Sequence, residues 1–359
     1  LVRKGKAQWN EIKSVFTSAK YPTRLLDENM ADLNGALASV NFGEKLLQEL
    51  CQIHSEGDVI FYMKALRTYA KELLTEKLKS LPVTSFTAIE KLDDGSPLSV
   101  TMRVKKGKLH IDFTGSADTH PRNLNATKAI VQSVILYVLR VMVNKPIPMN
   151  EGMMDCVDVI LPHGLLNPKF SGEKHLPAVV GGNTEVSQRL TDTLLKAFGI
   201  AACSQGTMNN FLFGNKSFGY YETICGGTGA GPGFDGASGV HQHMTNTRIT
   251  DPELLELRYP VRLNRFELRK GSGGKGKWNG GEGIVREFFF KEALEVNLLS
   301  QHRVEKPYGC KGGKAGKTGE QIVITNDGQL KHLKGMDSID VAIGDRLIIK
   351  TPGGGGWGK

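Results

Sequence analysis

The 359-residue chain contains no Cys-x-x-Cys pair, and its five cysteines (Cys51, Cys156, Cys203, Cys225 and Cys310) lie far apart. That spacing excludes a zinc knuckle and argues against a disulfide frame, so reduced thiols in a cytoplasmic protein are expected. Aromatic residues make up only 7%. No apolar run is long enough to span a bilayer, since the most apolar stretch, 129–143, is interrupted by Gln132 and Arg140. No signal-peptide pattern is present. The net charge of +9 is scattered, apart from a modest run at Lys311, Lys314 and Lys317. Without a basic stripe interleaved with aromatics, nucleic acid is not an expected partner. No Gly-x-Ser-x-Gly elbow occurs, and no Cys–His nucleophile pair stands at a recognisable spacing. Residues 312–318 imitate a phosphate-binding loop, but Lys311 stands where its first glycine is required and a strand-like segment follows. An ATP site on this chain is therefore not expected.

Glycine is scarce early and abundant late: thirteen of the 43 precede residue 200 and thirty follow it. Helices should dominate first, then short strands and tight turns. Apolar residues recur at helical spacing from Asp27 to Cys51, with Asp27 or Asn29 available as cap, and again from Asp58 to Pro82. Val100, Met102 and Val104 alternate, as do Leu109, Ile111 and Phe113 beyond Lys106-Gly107-Lys108, which predicts a β-hairpin. An apolar helix follows at about 126–143, and another from Gly181 to Gly199. Beyond Tyr259 the chain reads as strand and turn. The fold class is mixed α/β (α+β): an N-terminal helical hairpin, then a glycine-rich, β-rich core with a few buried helices. The segments are a helical module (1–82), a mixed α/β segment (83–200) and a glycine-rich, β-rich segment (201–359).

Seven glycines fall between residues 226 and 239, followed at once by His241, His243, Asn246 and Arg248. Glycine lets main chain approach a ligand or another strand closely, at roughly 0.5–1 kcal/mol of entropy each. Such a stretch is either a site built from backbone N–H groups or a long solvated loop. His241 and His243 alternate in what reads as a strand, which places both rings on one face. Two such imidazoles can share a metal or act as an acid–base pair with an orienting partner, with Glu222 or Asp235 adding a carboxylate. Gly181-Gly182-Asn183-Thr184 opens a helix and reads either as an anion site or as a simple turn and cap. Asp112 and Asn125 either line a site at a strand end or serve as a turn and a helix cap.

Several motifs together resemble the hydantoinase B/oxoprolinase family. They are Ala178-Val-Val-Gly-Gly-Asn183, Ser204-Gln-Gly-Thr-Met-Asn-Asn210, Gly226-Gly-Thr-Gly-Ala-Gly231 and Gly239-Val-His-Gln-His-Met-Thr-Asn-Thr-Arg248, with Gly271-Ser-Gly-Gly and Thr351-Pro-Gly-Gly-Gly-Gly356. The resemblance runs from about Asn29 to the end and implies ATP-dependent opening of a cyclic amide, such as 5-oxo-L-proline to L-glutamate. It further implies a hydantoinase-A-like partner that binds the ATP, and a divalent metal (Zn, Mn or Mg) in the complete enzyme. The metal's ligands are expected upstream of Leu1, so the chain is expected to be one unit lacking its first segment. A homo- or hetero-oligomer is expected, with no membrane contact. Within that chemistry His241, His243 and Glu222 are the catalytic candidates. Gly226, Gly227, Gly229 and Gly231 are candidates for the oxyanion, and Asn183, Asn246, Arg248, Asp112 and Asn125 for the rest of the substrate. Other branches of the family are alternatives: an N-methylhydantoin or lactam hydrolase, or an acetone-carboxylase-like subunit. A scaffold that only docks the ATPase half is another.

Overall fold

Helical periodicity in the first part of the chain produces α1 (Trp9–Ser18), α2 (Leu26–His54) and α3 (Glu56–Lys79). They belong to a computed structural model that describes residues 1–359 apart from 20, 21, 24, 149 and 172–175. The expected pair of long helices is joined at Ser55, whose φ of 69° turns the chain and whose hydroxyl accepts the Asp58 N–H. Neither Asp27 nor Asn29 caps α2; Leu25 holds that position without a side-chain bond. The pair is anchored unevenly. Only Met30 of α2 is buried, while α3 buries Ala70, Leu73, Leu74 and Leu78 near its end and exposes Phe61, Tyr62 and Met63.

The alternating residues form the expected hairpin, Pro97–Lys105 against Lys108–Asp112. Its two-residue turn takes φ of 54° at Lys106 and 75° at Gly107, as such hairpins require. Ser85–Lys91 extends this sheet antiparallel on one side, and Val157–Ile160 extends it in parallel on the other. Helix α5 (Ser187–Phe198) packs on this sheet, and α4 (Lys128–Val143) packs on α5. Helix α4 buries Val131, Val134, Ile135, Val138 and Leu139, the spacing of one helical face. These meet Leu74, Val100, Ile111, Leu190 and Leu194 in one core. Thr127 caps α4, and Asn125 does not. A π turn, Gly182–Val186, leads into α5, which ends at Gly199 with φ of 65°.

The remainder is antiparallel. One sheet has the order Met336–Val341, Leu294–Leu299, Asn210–Gly214, Gly219–Glu222. The other runs Leu330–Leu333, Glu320–Ile324, Arg346–Lys350, Gly283–Phe290, Val261–Arg269. Aromatic residues Phe211, Phe213, Phe288 and Phe290 fill the second core. Helix α6 (Pro252–Arg258) starts where Asp251-Pro252 suggests, with the Asp251 carboxylate accepting the Glu253 and Leu254 N–H groups. The mixed helix-and-sheet class is as expected.

Most of the late glycines form neither strand nor solvated loop. Residues 226–239, 271–283, 307–316 and 351–358 lie against one another as extended ribbons, bonded main chain to main chain. Gly227 donates to Pro352, Ala230 to Gly355, Gly281 to Thr228, Gly354 to Gly281 and Gly355 to Cys203. Here glycine serves close approach. A Cβ on Gly227, Gly281 or Gly354 would come closer than 3.0 Å to a carbonyl of the neighbouring ribbon, and one on Gly229 would come that close to the Ala202 carbonyl. Lys311 to Thr318 belong to this assembly, with Gly316 N–H on Pro307 and Lys314 N–H on Lys275, and a strand follows. The phosphate-loop likeness is therefore one of wording alone.

Gly354→Ala is expected to destabilise the chain by at least the roughly 1–3 kcal/mol typical of overpacking, because its clash is with main chain that cannot rotate away. Gly43→Ala, in open space on α2, is expected to stabilise it by roughly 0.5–1 kcal/mol. Denaturant unfolding of the two variants checks the contrast; equal effects would refute close packing as the reason for the glycines.

Candidate functional site

Helix α5 buries polar residues as thoroughly as apolar ones: Ser187, Gln188, Arg189, Thr191 and Asp192 are all buried together with Leu190 and Leu194. Burying that many polar groups requires partners. Asp192 takes the Ser204 N–H at 3.0 Å on Oδ1 and the Ser204 hydroxyl at 2.8 Å on Oδ2. His243 places Nε2 3.5 Å from Asp192 Oδ1. Burial by itself would raise the Asp192 carboxyl, but its contacts with His243 and Ser204 outweigh that and hold it below the usual range.

On the other side of the ring, Nδ1 lies 3.1 Å from the Tyr137 hydroxyl. A carboxylate only accepts, so the proton of the neutral ring belongs on Nε2, and the Tyr137 hydroxyl donates to Nδ1. Burial, helped by the Asp192 charge, raises the Tyr137 hydroxyl and keeps it a proton donor. Tyr137, His243 and Asp192 thus form a chain along which a proton can move. His243 holds a left-handed φ of 56°, a conformation that non-glycine residues adopt most often where the surroundings impose it.

This chain borders a cavity of about 670 Å³. Phe86, Phe198, Ile200 and Phe234 make its walls mostly apolar, and Lys77, Asn144, Thr228, Gly229, Gln242 and His243 add polar positions. Gln242 is tied down on both sides: its carbonyl accepts from Gln188 at 3.0 Å, and its amide donates to the Gly227 carbonyl at 3.2 Å. The lining comes from the glycine ribbon and from helices α3, α4 and α5.

Asp192, Cys203 and His302 bring donor atoms within 4.8 Å of one another, a set that by type suits a transition metal. Their contacts do not fit one. Cys203 Sγ lies 3.4 Å from His302 Nε2, and His302 Nδ1 lies 2.5 Å from the Glu305 carbonyl. A thiol donating to Nε2 and an Nδ1–H donating to the carbonyl satisfy both residues. Burial pushes the thiol well up and the imidazole well down, so both are neutral. The Arg189 guanidinium, 3.1 Å from the ring, would repel a cation. This Cys–His pair, which no spacing revealed, is a closed hydrogen-bond network.

The sequence-derived candidates are dispersed. His243 and Gly229 share the cavity. His241 and His243 do not alternate in a strand; they lie in a non-strand segment, and His241 is half-buried with neither ring nitrogen partnered, its pKa lowered by burial. Glu222 lies in the second core, where it pairs with buried Arg286 and accepts from the Tyr220 hydroxyl at 2.8 Å. The N–H groups of Gly226, Gly227 and Gly231 go to the carbonyls of Val240, Pro352 and Phe234, so those three do not face a ligand. No hydrogen bond engages the Gly229 N–H among the described residues. Asn246, Arg248 and Asn183 are exposed. Asp112 accepts the Thr114 N–H at 2.8 Å in a strand-ending turn. Asn125 is fully buried and ties loop carbonyls together. The helix start at Gly181-Gly182 is no anion site, because its N–H groups bond to Asn123 and Val179 and its glycines admit the 123–126 main chain.

Asp192, Tyr137, Gln188 and Gln242 are not singled out by sequence. A polar face on a helix flanked by buried apolar residues was the available signal. Glu185, on the π turn, belongs with them: it is fully buried, and its Oε1 accepts from the Met208 N–H at 3.0 Å and Asn210 at 2.7 Å. π turns recur at functional positions.

A model of the hydantoinase B/oxoprolinase family matches residues 1–359, and the chain belongs to that family. It is 43% identical to 5-oxoprolinase 1 of Arabidopsis thaliana over 96% of its own length, and spans 28% of that relative. Its fold is similar to the ATP-dependent caprolactamase of Pseudomonas jessenii, with a TM-score of 0.82 at 22% identity over 99% of this chain and 65% of the other. It is also similar to a nucleotide-free acetone carboxylase, with a TM-score of 0.71 at 15% identity over 88% and 50% of the two chains.

Burial raises the Glu185 carboxyl from 4.5 to about 8. Between those values the folded chain holds a proton that the unfolded chain has released, so this group makes stability fall as pH rises. Glu185→Gln is expected to flatten that slope between pH 5 and 8 in denaturant titrations, while keeping the acceptor for Met208 and Asn210. An unchanged slope would show that Glu185 is ionised in the fold.

Proposed function

We propose that this member of the hydantoinase B/oxoprolinase family is part of the amide-cleaving component of an ATP-dependent cyclic-amide hydrolase, with 5-oxo-L-proline opened to L-glutamate as its reaction. Water adds across the lactam bond: the carbonyl carbon gains the hydroxyl and the ring nitrogen gains a proton, while a second water is consumed as ATP becomes ADP and phosphate. The observation that carries the site assignment is the cavity lined by Tyr137, His243 and Gly229, with Asp192 behind the His243 ring. In this reading Gly229 faces the oxygen on which negative charge develops. His243 takes the proton of the attacking water through Tyr137 and returns it to the leaving nitrogen, and Asp192 orients the ring and balances its charge. ATP is bound by a hydantoinase-A-like partner, consistent with the glycine packing at 312–318. A divalent metal in the complete cytoplasmic enzyme would polarise the carbonyl or lower the pKa of water. The Asp192–Cys203–His302 trio does not supply it, and no step above passes through it.

The cavity's apolar walls favour a second reading, a lactam without a carboxylate, in keeping with the fold shared with the caprolactamase. Supplying the complete protein with ATP and 5-oxoproline, hydantoins, caprolactam, or acetone with bicarbonate separates the branches of the family. ADP release coupled to glutamate supports the first reading. His243→Asn is expected to lower kcat by roughly 10²–10⁴ with little change in KM. Full turnover in that variant would leave this chain a scaffold for the ATPase half.

A further inference from the structure

His243 belongs to no helix or strand, yet its ring is held between two fixed groups. It follows Gln242 in a tight turn, closed by the Thr245 N–H on the Gln242 carbonyl at 3.2 Å. In such a turn the φ of 56° at His243 favours glycine, asparagine or aspartate. A histidine keeps that conformation only where its surroundings over-determine it.

The determining contact comes from α5. Gln188, 1% exposed, donates its amide N–H to the same Gln242 carbonyl at 3.0 Å. A carbonyl only accepts, which fixes the orientation of the amide and leaves its own oxygen buried without a partner. Buried amides seldom leave an oxygen unpaired, so this side chain is committed to the one bond it makes. Asp192 stands one helical turn further on, on the same face of α5, and lies 3.5 Å from the ring Nε2. One helical face thus holds His243 twice, by the carbonyl before it and by its imidazole.

The hold continues into the glycine ribbon. The Gln242 amide donates to the Gly227 carbonyl at 3.2 Å, and the Gln205 N–H reaches that carbonyl at 2.8 Å. A strap therefore runs from α5 through the turn to the segment that carries Gly229. Gln188 itself is not among the residues that line the cavity. We propose that Gln188 is a positioning residue, whose amide keeps the 242–245 turn in the form that places the His243 ring between Tyr137 and Asp192. Its effect on turnover rests on the catalytic role of His243; its effect on the ring does not.

Gln188→Met keeps the length of the side chain and removes the donor. In the complete protein, supplied with ATP and 5-oxoproline, it is expected to lower kcat about tenfold or more with KM nearly unchanged, because a displaced base weakens the transition state and leaves binding alone. A second readout is independent of activity. In the 359-residue chain with isotope-labelled histidine, the His243 ring signal, assigned by its loss in His243→Asn, is expected to shift or broaden in Gln188→Met. Gln188→Asn, which draws the amide back by one methylene, is expected to do the same and serves if the methionine variant fails to fold. Thr191→Val removes a buried hydroxyl bond within α5, to the Ser187 carbonyl, and is expected to leave both readouts unchanged. An unmoved ring signal in the Gln188 variants, an unchanged kcat where His243→Asn lowers it, or an equal change in Thr191→Val overturns the proposal. If His243→Asn keeps full turnover, the catalytic reading fails, while the ring signal still reports on Gln188.

Discussion

Direct contact between main chains is the interaction on which the rest of this structure depends. Four glycine-rich ribbons meet with carbonyl oxygens and amides at distances that leave no room for a Cβ. Each ribbon supplies the partners another needs: Gly354 donates to Gly281, Gly281 to Thr228, and Ala230 to Gly355. Extended chain carries unpaired amides and carbonyls that cannot be buried unbonded. Stacking the ribbons solves this without forming a sheet, at the entropic cost that glycine brings. The ribbons join parts of the chain far apart in sequence, so the wall beside Gly229 exists only when the last residues are in place.

Helix α5 lines the cavity beside His243, and its buried polar side sets the electrostatics there. Arg189, with Glu90 3.5 Å away, and Asp192, with Ser204 and His243, are each balanced nearby. Charges are tolerated in an interior when paired and hydrogen-bonded, and a carboxylate so held can fix the orientation of an imidazole. The apolar walls limit water at the ring, which strengthens every interaction inside. Glu222 and Arg286 obey the same rule inside the aromatic core, at a position where the pair supports strands.

Local pattern was legible wherever one face of an element meets the core. The apolar stripe of α4, the hairpin at Lys106-Gly107 and the strands at Gly283–Phe290 and Arg346–Lys350 each follow from periodicity and turn chemistry. It was misleading where burial is complete. The polar face of α5 carries the same residue types as a solvated one, and only its surroundings make it interior. The His-x-His pair reads as a strand because two-residue spacing alternates there, yet the φ of His243 removes it from that geometry. The clustered glycines suggested amides turned toward a ligand, and three of the four candidates turn theirs to carbonyls instead.

By itself the order of residues determined the mixed class, the principal helices and most strands, because these depend on neighbours within a few positions. The family wording was equally plain, being a matter of specific strings. What only the tertiary structure decided is which polar groups meet: Tyr137, Asp192 and His243 lie on three separate segments, and Asn125 joins loops that no spacing relates. Contacts of that kind arise from long-range packing, and periodicity carries no record of them.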